Sequence, residues 1–245
     1  DIYADLICRP HLPEDQLEEG RLVCRQELRA IEDDLAQKVM QSLRRQQYAS
    51  PYGRNSQGTQ QSVEQITADQ IQQHYQACYR PNHAILGVAG KIEWESLREH
   101  VGNLFADWQP ADLPAIDEGE REAGYVHLSE PSVQTHIGVS YPSVPYSNPD
   151  YFQARGAVGV LSDGMSSRLF TEVRENRGLC YTVYASCHTL RDRGSIMAYA
   201  GTTTERAQET LDVMITELIR LSEGIHDEEL QRLKARVKSA LIMHQ

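Results

Sequence analysis

The last two helical stretches of this 245-residue chain resemble its first two. Asp5-Leu6-Ile7 lies over Glu217-Leu218-Ile219, and, after a one-residue gap, Glu14-Asp15-Gln16-Leu17 lies over Asp227-Glu228-Glu229-Leu230. Arg21 then falls on Lys234, and Leu28 on Leu241. Amphipathic helices can look alike by chance. Read instead as an internal repeat, the pattern has an offset of about 212 residues, which leaves room for little more than one copy. Residues 1–105 are then the back part of one copy and residues 125–245 the front part of the next, with neither complete. The ends agree with this expectation. The chain opens without Met at Asp1-Ile2-Tyr3-Ala4-Asp5-Leu6-Ile7 and stops at Ala240-Leu241-Ile242-Met243-His244-Gln245, both inside apolar-periodic stretches, so both ends look cut.

Residues 106–124 have a different character. Two prolines, Pro110 and Pro114, and the run Asp117-Glu118-Gly119-Glu120-Arg121-Glu122 contain few hydrophobic residues, which reads as an interdomain linker. Around it the composition is that of an ordinary globular chain, 40% hydrophobic and 24% charged. With 24 basic and 35 acidic residues the formal charge is −11, a field that repels phosphate backbones and anionic lipid. No nucleic-acid or membrane partner is expected, and no apolar run reaches the ~18 residues of a membrane span. The five cysteines, Cys8, Cys24, Cys78, Cys180 and Cys187, include no C-x-x-C pair and are odd in number. They make neither a disulfide framework nor a zinc ribbon, and fit a reducing compartment such as the cytoplasm. There is no targeting segment from which to read an address.

Periodicity predicts a helix over residues 1–8 and a long helix from Pro13 to near Gln47, striped by Leu17, Leu22, Val23, Leu28, Ile31, Leu35, Val39 and Leu43. A loop follows at 50–58, a short helix from Thr67 to about Cys78, a buried strand at 84–90, and a helix at 93–105. Beyond the linker come strands at 125–129 and 133–140, helices near 148–162 and 165–176, and a hairpin of 181–190 with 195–202 turned at Arg191-Asp192-Arg193-Gly194. Helices near 204–222 and 226–243 close the chain. Strands and helices in blocks, rather than regular βαβ alternation, predict an α+β fold with helices packed on one face of each sheet.

The strongest local signal runs from Gly164 to Tyr184, GMSSRLFTEVRENRGLCYTVY. It is a helix that stops at Gly178, a natural residue for the left-handed position after a helix, and turns into a strand. Arg174 sits in the last turn and Tyr181 at the strand entry. A guanidinium and a phenol aimed from such a turn into one cleft can grip a peptide carbonyl or an oxyanion. Alternatively Arg174 only compensates the helix dipole and Tyr181 packs.

This segment resembles the second-domain signature of the pitrilysin/insulinase family of zinc metallopeptidases, in its mitochondrial-processing-peptidase-like branch. Three other stretches agree: Glu18–Leu28, similar to the family's long helix bearing its third zinc ligand; Pro51–Thr59, similar to the loop after it; and Tyr79–His83 with Gly87–Gly90, similar to the first domain's last strand. The resemblance implies duplicated α+β metallopeptidase-type domains, each a mixed or antiparallel sheet with helices on one face, and both incomplete here. Residues 1–105 would be the C-terminal part of the first, zinc-bearing domain, 106–124 the linker, and 125–245 the N-terminal part of the second, substrate-gripping domain. It further implies that Arg174 and Tyr181 bind substrate, that Glu27 is a zinc ligand, and that unfolded peptides are the substrate class. The repeat counterpart of Glu27 is Ala240, as expected of a copy without a metal site. At the position seven residues before Glu27, where the family often has a second acid, stands Gly20.

The family's H-x-x-E-H motif is absent: nine histidines are scattered through the chain and none begins it. The resemblance would place the motif about 75 residues before Glu27, upstream of Asp1. No complete catalytic set is therefore present. Three readings stay open. The chain can be a fragment of a zinc metalloendopeptidase that hydrolyses peptides with metal-activated water. It can be part of a non-catalytic partner or scaffold subunit supplying the Arg/Tyr contacts. It can be an α+β interaction protein without chemistry. The expected partners are peptide, together with the missing parts of a parent chain or another copy or partner subunit. Zinc is expected in the parent and absent or weakly held in this chain. The isolated polypeptide is expected neither to bind zinc tightly nor to cleave peptides; stoichiometric zinc by metal analysis, together with proteolysis, would overturn that.

Overall fold

The computed structural model describes residues 1–121 and 124–243. Glu122 and Ala123 of the expected linker, and His244 and Gln245 of the closing pattern, lie outside the described residues. The helices are α1 (Ile2–Cys8), α2 (Leu17–Asp33), α3 (Leu35–Gln47), α4 (Gln60–Gln65), α5 (Ala68–Cys78), α6 (Trp94–Leu104), α7 (Tyr151–Ser162), α8 (Ala207–Arg220) and α9 (Asp227–Met243). The strands are β1 (Gln134–Ser143), β2 (Cys180–Thr189) and β3 (Gly194–Thr203), so the chain is α+β with a small antiparallel sheet. It packs as two compact units: Asp1–Ala30 with Ser56–Asp117, and Ile31–Asn55 with Glu118–Gln245. This division by packing sets residues 31–55 with the later half of the sequence.

Helices and irregular chain make up the first unit, with no strand among its described residues. Thr59 and Thr67 each cap a helix by accepting a hydrogen bond from the amide three residues on, and Ser62 and Gln70 bond back to the caps. The Tyr75 hydroxyl donates to the Ile7 carbonyl at 2.8 Å and the Trp108 indole to the Tyr79 carbonyl at 3.2 Å. The strand expected at 84–90 does not form, and Ile85 there is 95% exposed. An apolar run becomes a strand only beside another strand's free edge, and this unit offers none.

The long helix expected through Gln47 is two helices. Asp34 breaks it, because its carboxylate accepts from the Ala36 and Gln37 amides at 3.0 and 3.1 Å and from the Gln37 side chain at 2.9 Å. It thus caps α3 and ends α2, and these bonds hold its carboxyl below the usual range.

In the second unit the strand order is β1-β3-β2, with Gly138 opposite Tyr199 and Tyr184 opposite Tyr199 on the other side. Alternation gives the sheet two faces. Val183, Ala185, Cys187, Ile196, Ala198 and Ala200 face a core completed by Val158 and Leu161 of α7, Leu169, Val173, and Met214 of α8. The other face is covered by α3. A side chain at Gly138 would come within 3 Å of Val39 and Leu43, so glycine there is what lets the helix lie on the strand. Ser140 donates to the Gln47 side-chain oxygen at 3.3 Å, and the buried Tyr48 hydroxyl lies 2.8 Å from Ser195 Oγ and donates to the His188 carbonyl. The end of the linker is fastened to the same unit: the Gly119 amide donates to the Ser50 carbonyl at 3.0 Å, Arg193 pairs with Glu118, and its guanidinium lies 4.3 Å from the centre of the Tyr52 ring. Residues 125–129, expected as a strand, are irregular, and the sheet ends at β1 and β2.

A partly buried bidentate pair ties α9 to the segment after α7. Arg168 Nε and Nη2 each donate to Glu229 at 2.7 Å, and the same guanidinium donates to the Gly224 and Arg220 carbonyls at 2.8 and 3.2 Å. The pairing holds the Glu229 carboxyl down at about 2. A carboxyl whose pKa is depressed in the folded state stabilises the fold above its ordinary pKa and loses that contribution as pH falls through the folded value. For Glu229 this amounts to on the order of 2–3 kcal/mol. The urea midpoint is therefore expected to fall between about pH 4.5 and 2, and Glu229→Gln to be less stable at pH 7 while losing part of that acid dependence, as equilibrium unfolding monitored by circular dichroism will show.

Candidate substrate-binding site

The segment from Gly164 to Tyr181 is shaped by its two ends. Gly164 takes φ +102°, and the Ser167 amide closes a turn onto its carbonyl at 3.1 Å. A helix begins at Arg168 and widens over Phe170–Glu175 into π geometry, where the Asn176 amide reaches the Thr171 carbonyl five residues back at 2.8 Å. Sequence periodicity predicts an ordinary helix here. The wide turn is the difference, and such turns concentrate at functional positions.

At the far end Gly178 takes φ +57°, where a side chain is strained. Its amide donates to the Arg174 carbonyl at 3.0 Å, and the Leu179 amide to the Val173 carbonyl at 2.9 Å. The two bonds close the helix, and the contact of buried Leu179 with buried Val173 sets the direction in which the strand leaves.

This turn brings Arg174 and Tyr181 together. The Arg174 guanidinium carbon is 5.1 Å from the Tyr181 ring centre and 4.8 Å from that of Phe170, so the cation lies against two aromatic rings. Tyr181 is 81% exposed and sits at a bulge in β2, between Cys180 and Thr182. Phe170 escapes a motif-based reading, although its place four residues before Arg174 on a helix is the signal that finds it. The neighbouring Cys180 thiol is buried, and burial pushes it up against the pull of Arg174, which favours the protonated thiol. What this arrangement offers is a fixed, partly exposed guanidinium beside a phenol: hydrogen-bond donors for carbonyl or carboxylate oxygen.

Glu27 belongs to the first unit. It is exposed on α2, its carboxylate makes no hydrogen bond or ion pair among the described residues, and Gly20 two turns back has open space around it. Among the described residues no three His, Cys, Asp or Glu side chains are grouped to hold a metal. A lone exposed carboxylate does not compose a zinc site.

The family model described as the peptidase M16 inactive domain matches residues 65–237. A Streptomyces coelicolor protein named an uncharacterized zinc protease is 28% identical over 99% of this chain and 55% of its own length. The uncharacterized zinc protease YmxG of Bacillus subtilis is 24% identical over 99% of this chain and 60% of its own. Among solved structures, the peptidase M16 inactive domain from Pseudomonas fluorescens superposes with a TM-score of 0.88 at 24% identity, over 97% of this chain and 59% of that one. A protease from Helicobacter pylori superposes with a TM-score of 0.89 at 19% identity, over 99% of this chain and 61% of that one. These two likenesses speak for the fold. The chain thus spans little more than half the length of the relatives it matches.

Because Gly178 is left-handed, Gly178→Val is expected to cost about 1–2 kcal/mol. Gly178→Asn, which tolerates that conformation, is expected to cost clearly less. Urea unfolding of the two variants side by side checks the turn.

Proposed function

The chain belongs to the M16 peptidase family, the pitrilysin/insulinase-like zinc peptidases, and on that premise we propose that it is the part of a zinc metalloendopeptidase that holds the peptide. The observation that carries this reading is the Arg174 guanidinium seated between Phe170 and Tyr181, with Tyr181 open to solvent. Ring contacts on two sides restrict the guanidinium without using up its N–H groups, so the donors stay free for a peptide carbonyl. The zinc protease names of the relatives favour the metallopeptidase assignment.

In this reading residues 1–105 and 125–245 derive from successive copies of one domain, joined by 106–124. Glu27 is a carboxylate ligand whose partners come from outside this chain. A second reading, a partner or scaffold subunit that supplies only the Arg/Tyr contacts, is favoured by Gly20, where an acid would fit and none is present. Peptide binding by Arg174 and Tyr181 is common to both.

The test is binding of a short fluorescein-labelled unstructured peptide to this 245-residue chain, followed by anisotropy. Arg174→Ala is expected to weaken it about tenfold, as loss of a charge-assisted hydrogen bond does. Arg174→Lys is expected to recover only part, since a point charge replaces a planar fork. In a longer polypeptide that carries this chain and binds zinc, Glu27→Gln is expected to lose the metal while Arg174→Ala keeps it and slows turnover. Zinc retention by Glu27→Gln would refute the ligand assignment.

A further inference from the structure

At one end of the sheet face that α3 covers, residues of all three strands line up across the sheet. The bulge sets Tyr181 beside Thr182, which lies opposite Gly201 of β3, and Gly201 in turn lies opposite His136 of β1. Residues paired across antiparallel strands share a face. Thr182, Gly201 and His136 therefore form one row, with His136 two strands, or about 10 Å, from Thr182. The middle position carries no side chain. The next row along is Tyr184, Tyr199 and Gly138.

Tyr199 uses the space over Gly201. A methyl group on Gly201 would come within 3.0 Å of the Tyr199 hydroxyl and 3.9 Å of His136 Nδ1. That hydroxyl is 2.7 Å from His136 Nδ1, and the Tyr199 ring, 4% exposed, packs 5.2 Å from the Tyr184 ring. Burial, with Tyr184 and Asp34 nearby, pushes the Tyr199 hydroxyl up to about 12, so it stays protonated at neutral pH and is able to donate to Nδ1. Burial pushes His136 down, against the opposing pull of the Asp34 carboxylate, so the imidazole is neutral at pH 7. A neutral imidazole that accepts at Nδ1 carries its proton at Nε2. His136 Nε2 has no partner among the described residues, and the ring is half-buried.

We propose that Tyr199, the positioning residue, donates to His136 Nδ1 across Gly201, and that His136, its proton thereby on Nε2, contacts the bound peptide by donating from Nε2 to a main-chain carbonyl. The row then has two anchors, Arg174 with Tyr181 at β2 and His136 at β1. The two-strand span from Thr182, next to Tyr181, to His136 corresponds to about three residues of extended chain. Neither anchor reads a side chain at its carbonyl contact, so the surface suits unstructured peptides of varied sequence. The proposal rests on the reading of Arg174 and Tyr181 as a peptide grip, and its test separates the two.

The same labelled peptide is titrated against this chain and against His136→Ala, His136→Gln, Tyr199→Phe and Arg174→Ala, each checked for folding by circular dichroism. His136→Ala is expected to weaken binding about five- to tenfold, and His136→Gln, which keeps an N–H donor, to restore most of it. In ¹⁵N spectra of the imidazole, peptide is expected to shift Nε2 of His136, and Tyr199→Phe to change the tautomer population without peptide. If Arg174→Ala weakens binding while His136→Ala leaves it unchanged and Nε2 does not respond, the His136 assignment is overturned and the grip stands. If neither substitution changes affinity, or the unsubstituted chain binds no peptide, both are overturned. Should His136→Ala unfold the chain, His136→Gln and the Nε2 signal decide the matter.

Discussion

Val39 and Leu43 of α3 reach the sheet only because β1 carries glycine at position 138, and the second unit depends on that approach. The sheet has three strands, and both of its faces carry buried side chains that need a cover. α7, α8 and the turns around Leu169 and Val173 seal one side; α3 seals the other. Once both sides are covered, β3 is buried on both faces, as its run from Ser195 to Ala200 shows. Tyr48, Gln47 and the linker residues Glu118, Gly119 and Arg121 then fasten the connection that leaves α3.

The same closure positions the proposed site. α3 begins at its Asp34 cap near His136 and Tyr199, and Tyr181 and Thr182 of β2 are exposed at that end of the sheet. The wide turn at Phe170–Glu175 and the left-handed Gly178 deliver Arg174 to that end of β2. Arg168, fixed to Glu229, anchors the other end of the same segment. Rigid supports on both sides of a short functional stretch are what let two side chains hold a fixed spacing.

Local rules made much of this legible. Gly178 ends a helix because glycine alone takes its backbone angles without strain, and the hairpin of β2 and β3 follows from alternation around a turn at 191–194. The Arg174–Tyr181 pair was readable through family resemblance, and the structure adds Phe170 as the second ring. Three features were not readable. Ala84–Gly90 has a strand's composition, but strand formation depends on a neighbour that composition does not reveal. Asp34 looks like one more acid on a helix; only its bonds to two amides show that it breaks the helix. The row Thr182–Gly201–His136 depends on register between strands, and a one-residue slip would have sent these residues to the other face.

Residues 31–55 belong with 118–245 although 56–117 intervene, so the first unit is partly an insertion within the second. During synthesis α3 emerges roughly 90 residues before the strand it covers, a wait on the order of ten seconds at ordinary elongation rates. For that interval its apolar stripe has no sheet to lie on. The contact of α3 with β1 has to close across that long stretch of chain, which makes it a non-local one. The delay between making that helix and making its cover site is thus set by where the helix stands in the sequence.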